Sequence, residues 1–150
     1  HDMAVNLKST FLCTKGVIEP MKRRGGGVII NASSFAAQIP SVGQSVYAAA
    51  KSGVKSFTRV SAAELAPYNI RTFAYIPGVI KTQLVAPLIE DPQNAERMKN
   101  DIAAHRFGEP SEVASVVVFL ASERAGYVSG TSIEVAGGKF CVQNPGKIYE

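Results

Sequence analysis

Val28-Ile29-Ile30-Asn31-Ala32-Ser33-Ser34 decides how this chain is read. Its β-branched, nearly continuous apolar start suits a strand covered on both faces, the usual condition of a parallel sheet. Two serines stand at its carboxyl end. Before it, Gly25-Gly26-Gly27 stops a helix running from residue 1 to about Met21, in which Leu7, Phe11, Leu12, Ile18 and Met21 share one face. Lys22-Arg23-Arg24 at that helix end sets cations against the carbonyl dipole. After it, a polar loop with Pro40 and Gly43 leads to a helix from about Ser45 to Ala66. There Ala50, Val54, Phe57 and Val60 keep the 3.6-residue period, and Pro67 ends it.

Further along, Ile70 to Ile76 reads as a second strand closed by Pro77-Gly78. Pro110-Ser111-Glu112 opens a helix to about Ser122, and Ser132 to Val135 reads as a third strand ended by Gly137-Gly138. Between them, a stretch with Pro87, Pro92 and one short helix near Asn94 to Ala104 reads as a mobile insertion, and residues 139–150 as an irregular tail. Helices alternating with strands over short links predict βα units on a parallel sheet, an α/β fold without an internal domain boundary.

Composition narrows the class. The chain has 150 residues, 46% hydrophobic and 19% charged, which suits a compact domain and excludes collagen-like, disordered and disulfide-scaffold chains. Cys13 and Cys141 lie far apart without a CxxC or Cys/His cluster, so no metal site is expected and a reducing, cytoplasmic setting is. Cys13 reads as a small core residue. The longest apolar run, Val113 to Ala121, is about half of the roughly 20 residues that a membrane span needs. The net charge of +4 comes from scattered basic residues, so neither a membrane nor a nucleic acid is expected as partner.

Chemistry concentrates in Tyr47-Ala48-Ala49-Ala50-Lys51, which puts a phenol and an ammonium one helical turn apart on one face. A free tyrosine has a pKa near about 10, and a neighbouring cation stabilises its phenolate toward a useful range. Ligands of doubly wound folds bind at the carboxyl ends of strands. Ser33, Ser34 and Pro77-Gly78 all fall at such ends, with Tyr47 on the helix that follows the first strand. Taken alone, the phenol–ammonium pair is equally a surface lysine lying over a half-buried tyrosine.

The ordered set Asn31-Ala32-Ser33-Ser34, Tyr47-xxx-Lys51, Pro77-Gly78-Val79-Ile80-Lys81-Thr82, Arg106-Phe107-Gly108-Glu109-Pro110, Phe119-Leu120-Ala121-Ser122 and Gly137-Gly138 resembles the classical short-chain dehydrogenase/reductase family over residues 1 to about 138. The resemblance implies a Rossmann-type doubly wound parallel sheet and a catalytic tetrad of Asn6, Ser34, Tyr47 and Lys51, with Ser33 the less favoured neighbour of Ser34. Asn6 would hold a helix kink and a water of the proton relay. Ser34 would donate a hydrogen bond to the substrate oxygen, Tyr47 would act as general acid/base, and Lys51 would assist the tyrosine and the nicotinamide ribose. Pro77, Gly78, Ile80 and Thr82 match the segment around the nicotinamide, Ile80 through its backbone. The implied cofactor is NAD or NADP, and the implied substrate a small secondary alcohol or ketone. A homodimer or homotetramer, packed through the first two long helices, is implied as well. Phe73, Ile76 and Ala136 depart from the family pattern, and His1 and His105 match none of its sites; His105 reads as a solvated helix residue.

In the family, the dinucleotide is gripped mainly by a first half with a Gly-rich turn before a helix. Gly25-Gly26-Gly27 precedes a strand, so no helix dipole would face a phosphate there. The chain therefore reads as the carboxyl-terminal portion of one Rossmann domain, with three strands of its sheet and about 100 residues preceding it. It is expected to be inactive alone and an enzyme when completed. The rival expectation is a truncated fragment or paralogue that serves only as an oligomerisation or interaction module.

Overall fold

The computed structural model of the chain describes residues 1–149. They form two compact units, residues 1–76 with 117–133, and residues 77–116 with those from 134 onward. A three-stranded sheet runs in the order β1 (Gly27–Ala32), β2 (Ile70–Pro77), β3 (Ser132–Val135). Strands β1 and β2 pair in parallel, from Gly27 opposite Ile70 to Ala32 opposite Tyr75. Helices fill the links between successive strands, as parallel neighbours require. This is the expected fold class, an incomplete Rossmann-type parallel sheet with flanking helices.

In the first unit, a π-helical turn (Ala4–Lys8) leads into α1 (Ser9–Arg23). The helix ends where Gly25 N–H donates to Lys22 O and Gly26 N–H to Met21 O, with the glycines at φ +80° and +145°. Gly26 has a second reason to lack a side chain, since a Cβ there would stand 2.5 Å from Asn69 O. Asn69, itself left-handed at φ +56°, accepts the Gly27 N–H at 3.1 Å and donates its side-chain amide to Gly25 O. The triple glycine is thus the junction at which β1 and β2 start side by side.

Helix α2 (Ser45–Leu65) continues into a 3-10 turn (Ala66–Tyr68) at Pro67. Its buried positions are Ala48, Ala50, Val54, Thr58, Ser61, Ala62 and Leu65. Val60, expected on the core face, is 57% exposed, because small residues and a threonine make the close approach that a face of larger side chains would prevent. Cys13 is likewise exposed where a core position was expected; the inward residue at that level of α1 is Thr14. Strand β2 supplies the centre of the core, with Ile70, Thr72, Phe73, Ala74 and Ile76 all buried. The departures from the family pattern at Phe73 and Ile76 therefore fall at packed positions.

Arg71 on β2 caps the end of α5 (Pro110–Ala121). Its guanidinium donates to Leu120 O at 3.1 Å, Ala125 O at 2.9 Å and Ser122 O at 3.1 Å. A cation there meets both the orphan carbonyls and the negative end of the helix dipole.

In the second unit, the stretch anticipated as a mobile insertion is packed. It holds α3 (Ala86–Ile89) and α4 (Pro92–Asn100). Ala95, Ile102 and Phe107 form a buried cluster with Val79, Ile89 and Met98 against them. Burial of that apolar set gives the segment its own core. His105 lies outside any helix, in a left-handed conformation at φ +50°, and the tail is irregular over residues 139–144 before a 3-10 turn (Pro145–Tyr149). In the first turn of α5, Glu112 accepts two hydrogen bonds from Arg106, at 2.8 and 2.7 Å, and one from Glu109 N–H at 2.8 Å. Among the described residues, no helix is long and apolar enough to cross a membrane.

Two measurements check this architecture in the full-length protein. Arg71→Met removes charge-assisted bonds to three carbonyls and is expected to cost about 2–4 kcal/mol in urea denaturation; a loss below about 0.5 kcal/mol would show that water replaces the guanidinium. Arg106 chiefly, with the Glu109 amide, holds the Glu112 carboxyl down from 4.5 to about 2. Its folded value lies below its unfolded one, so the pairing stabilises the fold above the ordinary carboxylate range and fades as pH falls toward 2. A carbon-13 NMR titration should place the Glu112 midpoint well below the ordinary 4.5, and Arg106→Gln should bring it back up.

Candidate functional site

Asn31 is a polar residue buried in β1, and burial obliges its amide to find a partner. It donates to Thr58 Oγ1 at 2.9 Å, and Thr58 in turn donates to Val54 O at 2.7 Å. The middle of α2 is thereby fastened to the end of β1. Two further bonds complete the junction. Ser33 Oγ donates to Lys51 O at 3.0 Å, and Lys51 Nζ reaches back to donate to Ala32 O at 3.0 Å. Ser33 N–H meanwhile pairs with Tyr75 O at 3.0 Å, which extends the β1–β2 ladder by one step.

The two serines therefore have different surroundings. Ser33 is 3% exposed and its hydroxyl proton is committed to α2. Ser34 is half-buried, and its Oγ accepts the Ala36 N–H at 3.2 Å as the cap of a short 3-10 turn (Phe35–Ala37). An oxygen that accepts at a cap still carries its own proton, which it can donate to a ligand.

Tyr47 and Lys51 lie on α2 as their spacing requires, with Lys51 Nζ 5.7 Å from the Tyr47 ring centroid. Partial burial against the β1 end pulls the Lys51 amine below its ordinary range. Asn6 sits within the π-helical turn and donates its side-chain amide to Asp2 O at 3.1 Å; its own carbonyl accepts from Thr10 Oγ1 at 2.9 Å. The same turn packs on α2, with Leu7 lying directly over Gly53. Phe11 meets Phe57 edge to face at 6.1 Å. Asn6, Ser34, Tyr47 and Lys51 all belong to the first unit. Direct bonds join Lys51 to the β1 end, while Asn6 reaches α2 through the packing of its turn.

The four segment residues lie elsewhere. Pro77 closes β2, Gly78 N–H donates to Val135 O at 3.0 Å, and the Thr82 carbonyl accepts from Val85 N–H and Ala86 N–H ahead of α3. Ile80 forms a parallel bridge with Gly108, carried by Gly108 N–H to Val79 O and Lys81 N–H to Gly108 O. In that pattern the N–H and C=O of Ile80 itself point away from Gly108. That leaves the Ile80 backbone a donor and an acceptor for an amide-bearing ligand, so the segment fits the carboxamide of a nicotinamide.

Sequence reasoning did not give Ser33 its part in holding α2, nor Asn31 its bond to Thr58. A usable signal was present, since an asparagine inside a strand buried on both faces must be paired. The Arg71 cap carried no comparable signal, because its three carbonyls lie some 50 residues away in sequence.

Residues 1–139 match a family model described as enoyl-(acyl carrier protein) reductase. The chain is 42% identical over 134 residues to human dehydrogenase/reductase SDR family member 4, covering 89% of this chain and 48% of that protein. It is 42% identical over 138 residues to the 3-oxoacyl-[acyl-carrier-protein] reductase of Aquifex aeolicus, covering 92% and 55%. Among solved structures, an Agrobacterium tumefaciens protein provisionally named a 2-deoxy-d-gluconate 3-dehydrogenase, with bound NADP, superposes with a TM-score of 0.89 at 32% identity, covering 93% of this chain and 57% of that one. The chain thus spans about half the length of the curated relatives it matches. A match that runs from residue 1 to residue 139, on a backbone shared with these proteins, carries the assignment: the chain belongs to the classical short-chain dehydrogenase/reductase family.

Proposed function

We propose that this chain is the catalytic portion of an oxidoreductase that interconverts a small secondary alcohol and its ketone with NAD or NADP, in a protein completed by a preceding half of the sheet. The observation that supports this reading is the junction at the end of β1, where Lys51 bonds to Ala32, Ser33 bonds to the Lys51 carbonyl, Ser34 caps the next turn, and Tyr47 stands one helical turn before Lys51. A bound nicotinamide would supply or accept the hydride. Tyr47 Oη passes its proton to the substrate oxygen in reduction and takes it back in oxidation. The Ser34 hydroxyl donates to the same oxygen and favours the charge that develops there. The Lys51 ammonium, 5.7 Å from the Tyr47 ring centroid, assists the tyrosine by keeping a positive charge beside it. Asn6, on its π turn, shapes the helix beside α2 and holds a water of the relay.

Pro77, Gly78, Ile80 and Thr82 make up the nicotinamide-facing segment, with the free side of the Ile80 backbone as its polar contact. Tyr47 and Lys51 contribute to cofactor binding as well. Exposed Val5, Leu12, Val46 and Val60 on the first two long helices give a homodimer or homotetramer its contact surface. The two free, exposed thiols fit a reducing cytoplasm. The interaction-module reading draws on that same apolar surface, and catalysis by the completed protein separates the two readings.

Tyr47→Phe is expected to lower turnover by roughly 10²–10⁴-fold, the usual share of a general acid/base. Cofactor affinity, followed by fluorescence titration, should be largely retained, since the variant loses one hydroxyl contact and keeps Lys51; wild-type turnover in the variant would remove Tyr47 from the mechanism. The outer edge of β1 borders a groove of about 380 Å³ lined by Thr10, Thr14 and Val17 of α1 and by Val28, Ile30 and Ala32. Such an edge calls for a further strand. The 150 residues expressed alone are accordingly expected to give no cooperative melt and no turnover. A sharp two-state transition with full activity would show that they are self-sufficient.

A further inference from the structure

We propose that residues 139–149 form a strap that holds the loop after α4 and, through it, the Val79–Lys81 segment. The use of that segment in cofactor binding rests on the reading above; the strap itself does not. The strap is laid down in three contacts within the second unit. At its start, Phe140 N–H donates to Asp101 O at 2.8 Å, Ile102 pairs antiparallel with Lys139, and Lys139 Nζ lies 3.7 Å from the Asp101 carboxylate.

At its middle, Pro145 and Gly146 are buried where the strap crosses the end of α4. A Cβ at Gly146 would fall 2.7 Å from both Cα and O of Asn100, so the strap sits as close as a backbone can. At its end, Tyr149 Oη donates to Ala103 O at 2.8 Å, while its ring stacks on His105 at 4.4 Å and 16°.

His105 is the telling residue. Its left-handed backbone is disfavoured for a residue with a side chain and persists only where surroundings enforce it. They do so from two sides: Glu96 Oε1 at 3.0 Å and Asn100 Oδ1 at 3.1 Å meet Nε2, and Tyr149 covers the ring face. Three residues further on, Gly108 makes the two backbone bonds that fix Val79 and Lys81. The turn at His105 thus aims Gly108, and the strap holds the turn.

Amide hydrogen exchange in the full-length protein, without cofactor, tests this. Gly146→Ala should accelerate exchange at Gly108 and Lys81 tenfold or more, while Ser33 and Ala74, bonded within the sheet of the first unit, change less than twofold. Unchanged rates at Gly108 and Lys81 overturn the proposal. Should that variant lose protection throughout, Tyr149→Phe decides, since it keeps the stack and removes only the bond to Ala103. Acceleration of about threefold confined to 103–108 and Lys81 sustains the strap, whereas wild-type rates, or acceleration shared with Ser33, overturn it. In turnover, Gly146→Ala should raise the cofactor KM severalfold with kcat within twofold. An active enzyme whose KM stays put refutes the positioning of the segment, while an inactive wild type faults the dehydrogenase reading and leaves the strap to the exchange result.

Discussion

The placement of the candidate site depends on one buried hydrogen bond, from Asn31 in β1 to Thr58 in α2. A parallel strand and the helix after it could otherwise slide past each other, since apolar packing is non-directional. An amide that cannot be left unpaired in the interior removes that freedom, because any other register would strand it at a cost of about 1–3 kcal/mol. Ser33 and Lys51 then set the neighbouring turn of α2 by exchanging bonds across the same corner, one from side chain to helix carbonyl and one from side chain to strand carbonyl. Three short polar contacts thus decide where Tyr47 stands.

The corner also sets the electrostatics. Lys51 spends one donor on Ala32 O and is partly withdrawn from water, so its charge is less screened than that of a surface lysine. The division between the two serines follows from the same geometry, for the hydroxyl that builds the corner has no proton to spare, while the one that caps the next turn keeps its own.

Much of this was legible beforehand. All three strands could be read from short β-branched runs closed by Gly, Pro or Ser, and the candidate site was drawn from the positions of serines and a Tyr–Lys pair relative to strand ends. What escaped is instructive. Val60 fits the helical period yet faces out, because α2 approaches the sheet on Ala, Ser and Thr, which a hydrophobicity pattern undervalues. The segment with Pro87 and Pro92 looked irregular, but prolines in first turns begin helices as readily as they break them. His105 gave no sign of its left-handed turn, and its ring meets Glu96 and Asn100 on one side and Tyr149, 44 positions onward, on the other.

The π-helical turn around Asn6 carries a further consequence for how this part of the chain tolerates length change. A π turn holds one residue more than an α turn between successive hydrogen bonds. Removing one residue from Ala4–Lys8 would let regular α-helix close over the gap with the helix on either side nearly in phase, because the extra residue is held in the wider turn itself. Leu7, which lies over Gly53, belongs to that turn. A single-codon deletion here would therefore act locally, re-placing the side chains of the turn itself, Asn6 and Leu7 among them, while the helix beyond it kept its direction and phase.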